Sequence, residues 1–269
     1  MTTISKKGSF LKGDFVLKGF GKKFILSKKT FFYSSFFIVL AVGFYFVLIA
    51  FNPGIGRKSM PPISYVRPFS FTNQDGEKIS EKDVAGKVYV AEYFFTTCKG
   101  ICPKMNANMR RVYDAFKEEE GFMIISHTCM PEVDSLPVLK QYEQRMLSAK
   151  IIANADGSYR LDEDSNAVKK GGLNATNWFF VTGDKEPLYK MARQSYMIDN
   201  NKPDSTQLIK DQFIHTQFFA LVDKQRRLRG IYDGLQNDEI EKLKKDIKGL
   251  LKEKITSKRF MNGFSNNPG

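Results

Sequence analysis

From Phe31 to Phe51 the chain reads FFYSSFFIVLAVGFYFVLIAF, 21 residues without a charge. At about 1.5 Å of rise per residue a helix of that length reaches roughly 31 Å, which matches a bilayer's hydrocarbon core of about 30 Å. No polar face recurs at helical spacing, which argues against a helix buried in a soluble core. The run also exceeds the apolar stretch of about 7–15 residues usual in a cleaved signal peptide, and it lacks a small-x-small cleavage site. One transmembrane helix is therefore expected, and every other segment lies to one side of it.

The charge pattern orients that helix. Residues 1–30 hold eight lysines against one acid, Asp14, whereas only Arg57 and Lys58 stand close behind the span. The positive-inside rule then puts the N-terminus in the cytoplasm and the chain beyond residue 52 outside. The leader contains no arginine, unlike a mitochondrial presequence, which favours a bacterial inner membrane with the outer portion in the periplasm. The formal net charge of +13 suggests nucleic acid until it is mapped. Seven of those charges belong to the leader, and the remainder shows no aromatic-basic stripe, so no nucleic-acid binding is expected.

At 269 residues the chain has room for one ordinary domain besides these segments. We read it as a basic cytoplasmic segment (1–30), a transmembrane helix (31–51), a linker (52–64), an outer domain (65–255) and a C-terminal tail (256–269). Asn52-Pro53-Gly54-Ile55-Gly56 and the prolines at 61, 62 and 68 break helix and mark the linker. Phe69–Thr72 predicts a strand leading into the turn Asn73-Gln74-Asp75-Gly76, and the apolar run 88–95 predicts a central strand covered on both faces. Pro103 suits the first turn of a helix, and Met105, Met109, Val112 and Phe116 carry it to about Glu120, where Gly121 stops it. Residues 122–126 predict a second strand parallel to the first. Asp134 or Ser135 is placed to cap the next helix, on which Leu139, Tyr142 and Met146 share a face.

Residues 153–175 are polar and glycine-containing and predict a surface excursion with no core role. A third strand is expected at 178–182 and an antiparallel hairpin from 218–222 and 228–232. Ile240, Leu243, Ile247, Leu250 and Leu251 then form the apolar face of a last helix, with Asn237 as its cap. This order specifies an α/β, thioredoxin-like domain with a central mixed sheet flanked by helices. In such a domain reactive cysteines belong in the loop between the first parallel strand and its helix.

Three cysteines are too few to staple an exported domain, and an odd number leaves one thiol unpaired. Cys98-Lys99-Gly100-Ile101-Cys102-Pro103 sets two of them four residues apart at the start of a helix. Free amides and the helix dipole there favour thiolate over thiol, so both sulfurs are expected to ionise readily. A pair at that spacing suits a soft ion, Cu(I) or Zn(II), and a small loop adjustment would instead close a disulfide. Two ligands leave a metal under-coordinated, and His215, one of two histidines, stands just before the strand at 218–222. Two thiolates and one imidazole would carry charge −1 with Cu(I) and none with Cu(II). His127 and Cys129, at the C-terminal end of the second strand, are conceivable auxiliary ligands but more often loop-edge occupants, and Met105 reads as helix core.

Phe71–Gly76, the FFTTCKGICPKM block from Phe94 to Met105, PEVDSLPVL from Pro131 to Leu139, NWFFVTGDK from Asn177 to Lys185 and the run from Phe213 to Gly234 together resemble the SCO/SenC family over about residues 65–252. The resemblance implies a membrane-anchored copper chaperone for the binuclear copper centre of cytochrome c oxidase subunit II, or for another cuproprotein. It assigns Cys98, Cys102 and His215 as the metal ligands and no turnover to the protein itself. One position departs: where the family usually reads valine and aspartate before proline-glutamate, this chain has Cys129 and Met130. The alternative is a periplasmic thiol-disulfide reductase, with Cys98 and Cys102 as a redox pair that keeps the oxidase's copper ligands reduced.

Overall fold

A computed structural model describes residues 28–51, 60–98, 100–162, 175, 177–199 and 216–255. The chain forms two units, Met1–Ser59 and Met60–Gly269. In the first, helix α1 (Lys28–Phe51) contains Phe31–Leu48, a stretch long and apolar enough to cross a membrane, and all of those side chains are exposed. A helix apolar around its whole circumference, with none of the described residues of its own unit covering it, needs lipid or another protein around it.

The second unit is built on a six-stranded sheet in the order β1-β10-β9-β4-β5-β8. Its strands are β1 (Ser64–Tyr65), β4 (Val88–Phe94), β5 (Phe122–Thr128), β8 (Trp178–Val181), β9 (Phe218–Val222) and β10 (Arg227–Asp233). β4 pairs parallel with β5, and β5 with β8, whereas β9 runs antiparallel to both β4 and β10. The sheet is thus mixed, as the element order predicts. A separate hairpin, β2 (Ser70–Thr72) and β3 (Lys78–Ser80), turns through Asn73–Gly76. There the Asn73 side chain accepts the amides of Asp75 and Glu77 at 3.0 and 2.9 Å, and Gly76 takes φ +81°.

Every residue of β4 and β5 is buried, because layers cover both faces of the sheet's centre. Val88, Val90 and Phe94, with Phe122 and Ile124, pack under α2 (Cys102–Phe116), α3 (Leu136–Ser148) and α5 (Asn237–Lys252). Tyr89, Ala91 and Tyr93, with Met123 and Ile125, face the opposite way, toward Phe71 and Ile79 of the small hairpin and Leu188, Tyr189 and Ala192. Those last residues belong to α4 (Lys185–Lys190) and the π-helical turn Met191–Ser195 that continues it, an element for which the sequence offered no reading.

Other departures have local causes. α2 ends at Phe116 rather than near Glu120, since the four charged residues at 117–120 are all exposed and give a further turn nothing to pack on. The expected surface excursion at 153–175 starts inside a hairpin, β6 (Lys150–Ala153) and β7 (Tyr159–Asp162). It does touch the body of the domain: the Arg111 guanidinium lies 3.8 Å from the Tyr159 ring centroid, and Leu161 packs against the core. Asn237 is the first residue of α5 rather than its cap, because its side chain is engaged by Arg111 at 2.9 Å and by the Gly157 carbonyl. The expected tail at 256–269 lies outside the described residues.

Candidate metal centre

β4 stops at Phe94 and the chain turns at once, the Cys98 amide donating to the Phe95 carbonyl at 3.2 Å. Helix α2 begins at Cys102, with Pro103 in its first turn, where the missing N–H of proline is no loss. Cys98 and Cys102 are both free thiols, Cys98 half-buried and Cys102 buried, and Cys98 lies near enough to Cys102 to raise its thiol. The fold therefore brings together the two cysteines that the spacing paired.

The expectation that both would ionise readily fails at Cys102. Burial pushes its thiol far up, the hydrogen bond and charge of Cys98 and the charge of Glu92 add to that, and a backbone hydrogen bond with Phe95 opposes them only in part. Withdrawal from water under the helix outweighs the helix dipole, which acts strongly only where solvent does not have to be given up. Cys102 is a thiol at neutral pH, and a metal that takes it as thiolate has to displace its proton.

The loop carrying Cys98 is tied down at Thr96. Its hydroxyl donates to Asp134 Oδ1 at 2.6 Å and its amide to the same oxygen at 3.4 Å, while its carbonyl accepts from Arg145 Nη2 at 3.3 Å. The other carboxylate oxygen of Asp134 accepts from Thr128 at the end of β5. The helix-cap expectation for Asp134 is thus replaced: Ser135 holds the N-cap position of α3, without a side-chain bond, and Asp134 turns to the cysteine loop.

Glu92 was missed in the sequence, although one carboxylate in the apolar run VYVAEYF was the available signal. It is 2% exposed and faces the α2 side of the sheet. Trp178 Nε1 donates to Ser126 Oγ at 2.9 Å, which donates to Glu92 Oε1 at 2.6 Å, while Oε2 is buried with no hydrogen-bond partner among the described residues. Burial, opposed only by the Ser126 hydrogen bond, raises this carboxyl from its ordinary 4.5 to about 8.

His127 points the other way and sits in an aromatic cage, its ring stacked on Tyr93 at 4.9 Å with Phe71 and Tyr196 edge-on. Nδ1 lies 3.3 Å from the Glu92 carbonyl, which assigns the proton to Nδ1, and burial lowers the imidazole to about 4. Cys129 follows β5 directly, its amide donating to the Phe94 carbonyl at 2.8 Å and its own carbonyl accepting from Tyr189 Oη at 3.0 Å. Burial and then the charges of Asp134, Asp199 and Cys98 push its thiol up. Met105 is core, 1% exposed, as expected. His215 lies outside the described residues, and among those described no group of three or more metal-binding side chains occurs. The strand that follows it does bear on the site. β9 runs antiparallel to β4, with Ala91 opposite Ala220 and Tyr89 opposite Val222, so its first residue, Phe218, lies at the edge where β4 passes into the cysteine loop.

Residues 57–252 match the SCO1/SenC family. The chain belongs to that family. A SCO1 protein homolog of Bacillus subtilis is 30% identical over 196 residues, 72% of this chain and 86% of that protein. The solved structure of BsSco, described as a member of the Sco family of cytochrome c oxidase assembly proteins and as having a disulfide switch, superposes with a TM-score of 0.53 at 27% identity. It covers 74% of this chain and 100% of its own. A SCO1/SenC family lipoprotein from Bacillus anthracis gives 0.52 at 28% identity, over 70% of this chain and 96% of its own. The thioredoxin-like Sco fold expected from the sequence is the fold observed, and the chain has one N-terminal apolar helix.

Proposed function

We propose that this SCO1/SenC protein is a membrane-anchored copper carrier that holds its cargo through Cys98, Cys102 and His215. It passes the ion to the binuclear centre of cytochrome c oxidase subunit II or to another cuproprotein. The observation that carries the reading is the proximity of two free thiols at the start of α2, a soft donor pair that fits Cu(I) and is poor for hard cations. Membership of a family that includes an oxidase assembly protein supports the acceptor. The antiparallel run of β9, which starts three residues after His215 at the cysteine edge, supports the third ligand. The lysine-rich leader and the apolar helix support a bacterial inner membrane, with the N-terminus cytoplasmic and the domain periplasmic.

Copper titration of the full chain in detergent tests this. A sulfur-to-copper charge-transfer band is expected with Cu(II), and His215→Ala is expected to weaken binding by about 100-fold or more while leaving thiol exchange intact. Unaltered binding in that variant would remove the imidazole. Because Cys102 enters as a thiol, Cu(I) affinity is expected to rise by at least about tenfold per pH unit between about pH 6 and 8. Affinity flat across that range would mean that no proton leaves.

A second reading, thiol-disulfide exchange with the oxidase's copper ligands, is favoured by the same pair of neighbouring free thiols and by the disulfide switch described for BsSco. Fast mixed-disulfide formation with a model disulfide, attacked by the reduced pair, together with copper binding that His215→Ala leaves unaltered, would select it.

A further inference from the structure

We propose that Asp134 is the positioning residue of the thiol pair: its buried carboxylate joins Thr96 of the cysteine loop to Thr128 of β5 and so fixes where Cys98 stands against Cys102. This rests on the reading that the two thiols act together, and it deepens that reading.

Asp134 is 1% exposed, and each of its oxygens is used on the strand edge rather than on its own helix. Two hydroxyls and one amide converge on it, a set of donors that only an acceptor-only group satisfies completely. Thr96 is held from outside the loop at all three of its polar groups, because Arg145 takes the carbonyl. That second arm is itself anchored. The Arg145 guanidinium lies 5.0 Å from the Tyr142 ring centroid, and Tyr142 stacks at 4.8 Å on Phe94, the last residue of β4. The Asp134 amide donates to the Met130 carbonyl at 2.9 Å, and the Met130 amide donates to Thr128 Oγ1 at 2.9 Å, so the turn presenting the carboxylate is braced as well.

Cys98 is two residues from this clamp and only half-buried, and its own amide reaches no further than Phe95. Thr96 is therefore the nearest point at which the loop is fixed to the rest of the domain on the Cys98 side. Released there, the loop would sample more positions, and the effective concentration of Cys98 at Cys102 would fall.

The test uses the full chain in detergent with two readouts: Cu(I) affinity by competition with bicinchoninate, and the equilibrium of the Cys98–Cys102 disulfide against dithiothreitol. Asp134→Ala and Thr96→Val are each expected to lower Cu(I) affinity by about tenfold or more and to shift the disulfide about fivefold toward the dithiol. Thr96→Ser, which keeps the hydroxyl, is expected to stay within about twofold of the parent, and the Asp134→Ala/Thr96→Val double variant to be no worse than Asp134→Ala alone. The proposal is overturned if Asp134→Ala and Thr96→Val both leave both readouts within about twofold, or if Thr96→Ser does the same damage as Thr96→Val. Should Asp134→Ala fail to fold, the two Thr96 variants decide, since they leave the carboxylate in place. If the parent binds no copper, the carrier reading falls while the disulfide equilibrium still judges the clamp.

Discussion

Glu92→Gln is expected to stabilise the folded domain at neutral and alkaline pH, the reverse of what removing a buried polar partner usually does. In the folded state the carboxyl holds its proton up to about pH 8, whereas the unfolded chain releases it near the ordinary value of 4.5. Between those values the native state binds one proton more than the unfolded state, so stability falls as pH rises. At pH 7 the penalty is on the order of 3 kcal/mol, at about 1.4 kcal/mol per pH unit. Gln keeps the oxygen that accepts from Ser126 but adds an N–H with nothing to donate to, so a net gain of about 1–2 kcal/mol is expected. For a domain of this size that is several degrees in Tm.

His127 gives the experiment a signature. Its folded value of about 4 lies below the ordinary 6.5, so its contribution is complete above 6.5 and is lost as pH falls toward 4. Between 4.5 and 6.5 the two slopes oppose and cancel, leaving a plateau, and above 6.5 Glu92 alone makes stability decline toward pH 8. Urea unfolding across pH 4–8, below the range in which the buried thiols Cys102 and Cys129 contribute, is expected to show that plateau and fall in the parent. The Glu92→Gln variant is expected to show instead a rise from pH 4 to 6.5 followed by a level line. A decline above pH 6.5 that persists in the variant would show that some other group is responsible.

The second large effect belongs to the thiols. Cys98→Ser and Cys102→Ser are each expected to weaken Cu(I) binding by more than about 100-fold, since losing a ligand exceeds the 10–100-fold typical of losing a ligand's support. Cys129→Ser and His127→Ala provide the contrast. Cys129 feels the charge of Cys98, but its thiol is buried, and His127 is enclosed by Tyr93, Phe71 and Tyr196. Copper stoichiometry and affinity measured by competition are expected to be unchanged in both. A loss in Cys129→Ser comparable to that in Cys98→Ser would bring the third sulfur into the centre.

The fold was legible wherever burial follows the backbone period. Residues 88–95 read as a doubly covered strand and 122–126 as a short apolar strand parallel to it, where the structure has Val88–Phe94 and Phe122–Thr128, and the period of four and three in α2 gave its buried side. What escaped was whatever depends on a distant partner. The hairpin Lys150–Asp162 is held by Arg111 stacking on Tyr159, and nothing local in a polar, glycine-containing stretch announces that contact. Asp134 looked like a cap because sequence shows an acid before a helix, not the two threonines 38 and 6 residues away that take its oxygens. At the site, spacing put Cys98 and Cys102 at the start of one helix but misjudged the ionisation of Cys102, because the helix-end effect is visible in sequence and the depth of burial is not.

β4, the strand that leads into the cysteine loop, is hydrogen-bonded on both sides, by β5 and by β9, and its residues are wholly enclosed. A loop rooted in such a strand has no long arm with which to reach for another molecule. Any exchange at Cys98 must then be brought to the protein, with the other molecule docking over that rim of the sheet. Encounter geometry, rather than travel of the loop, would set how fast cargo changes hands.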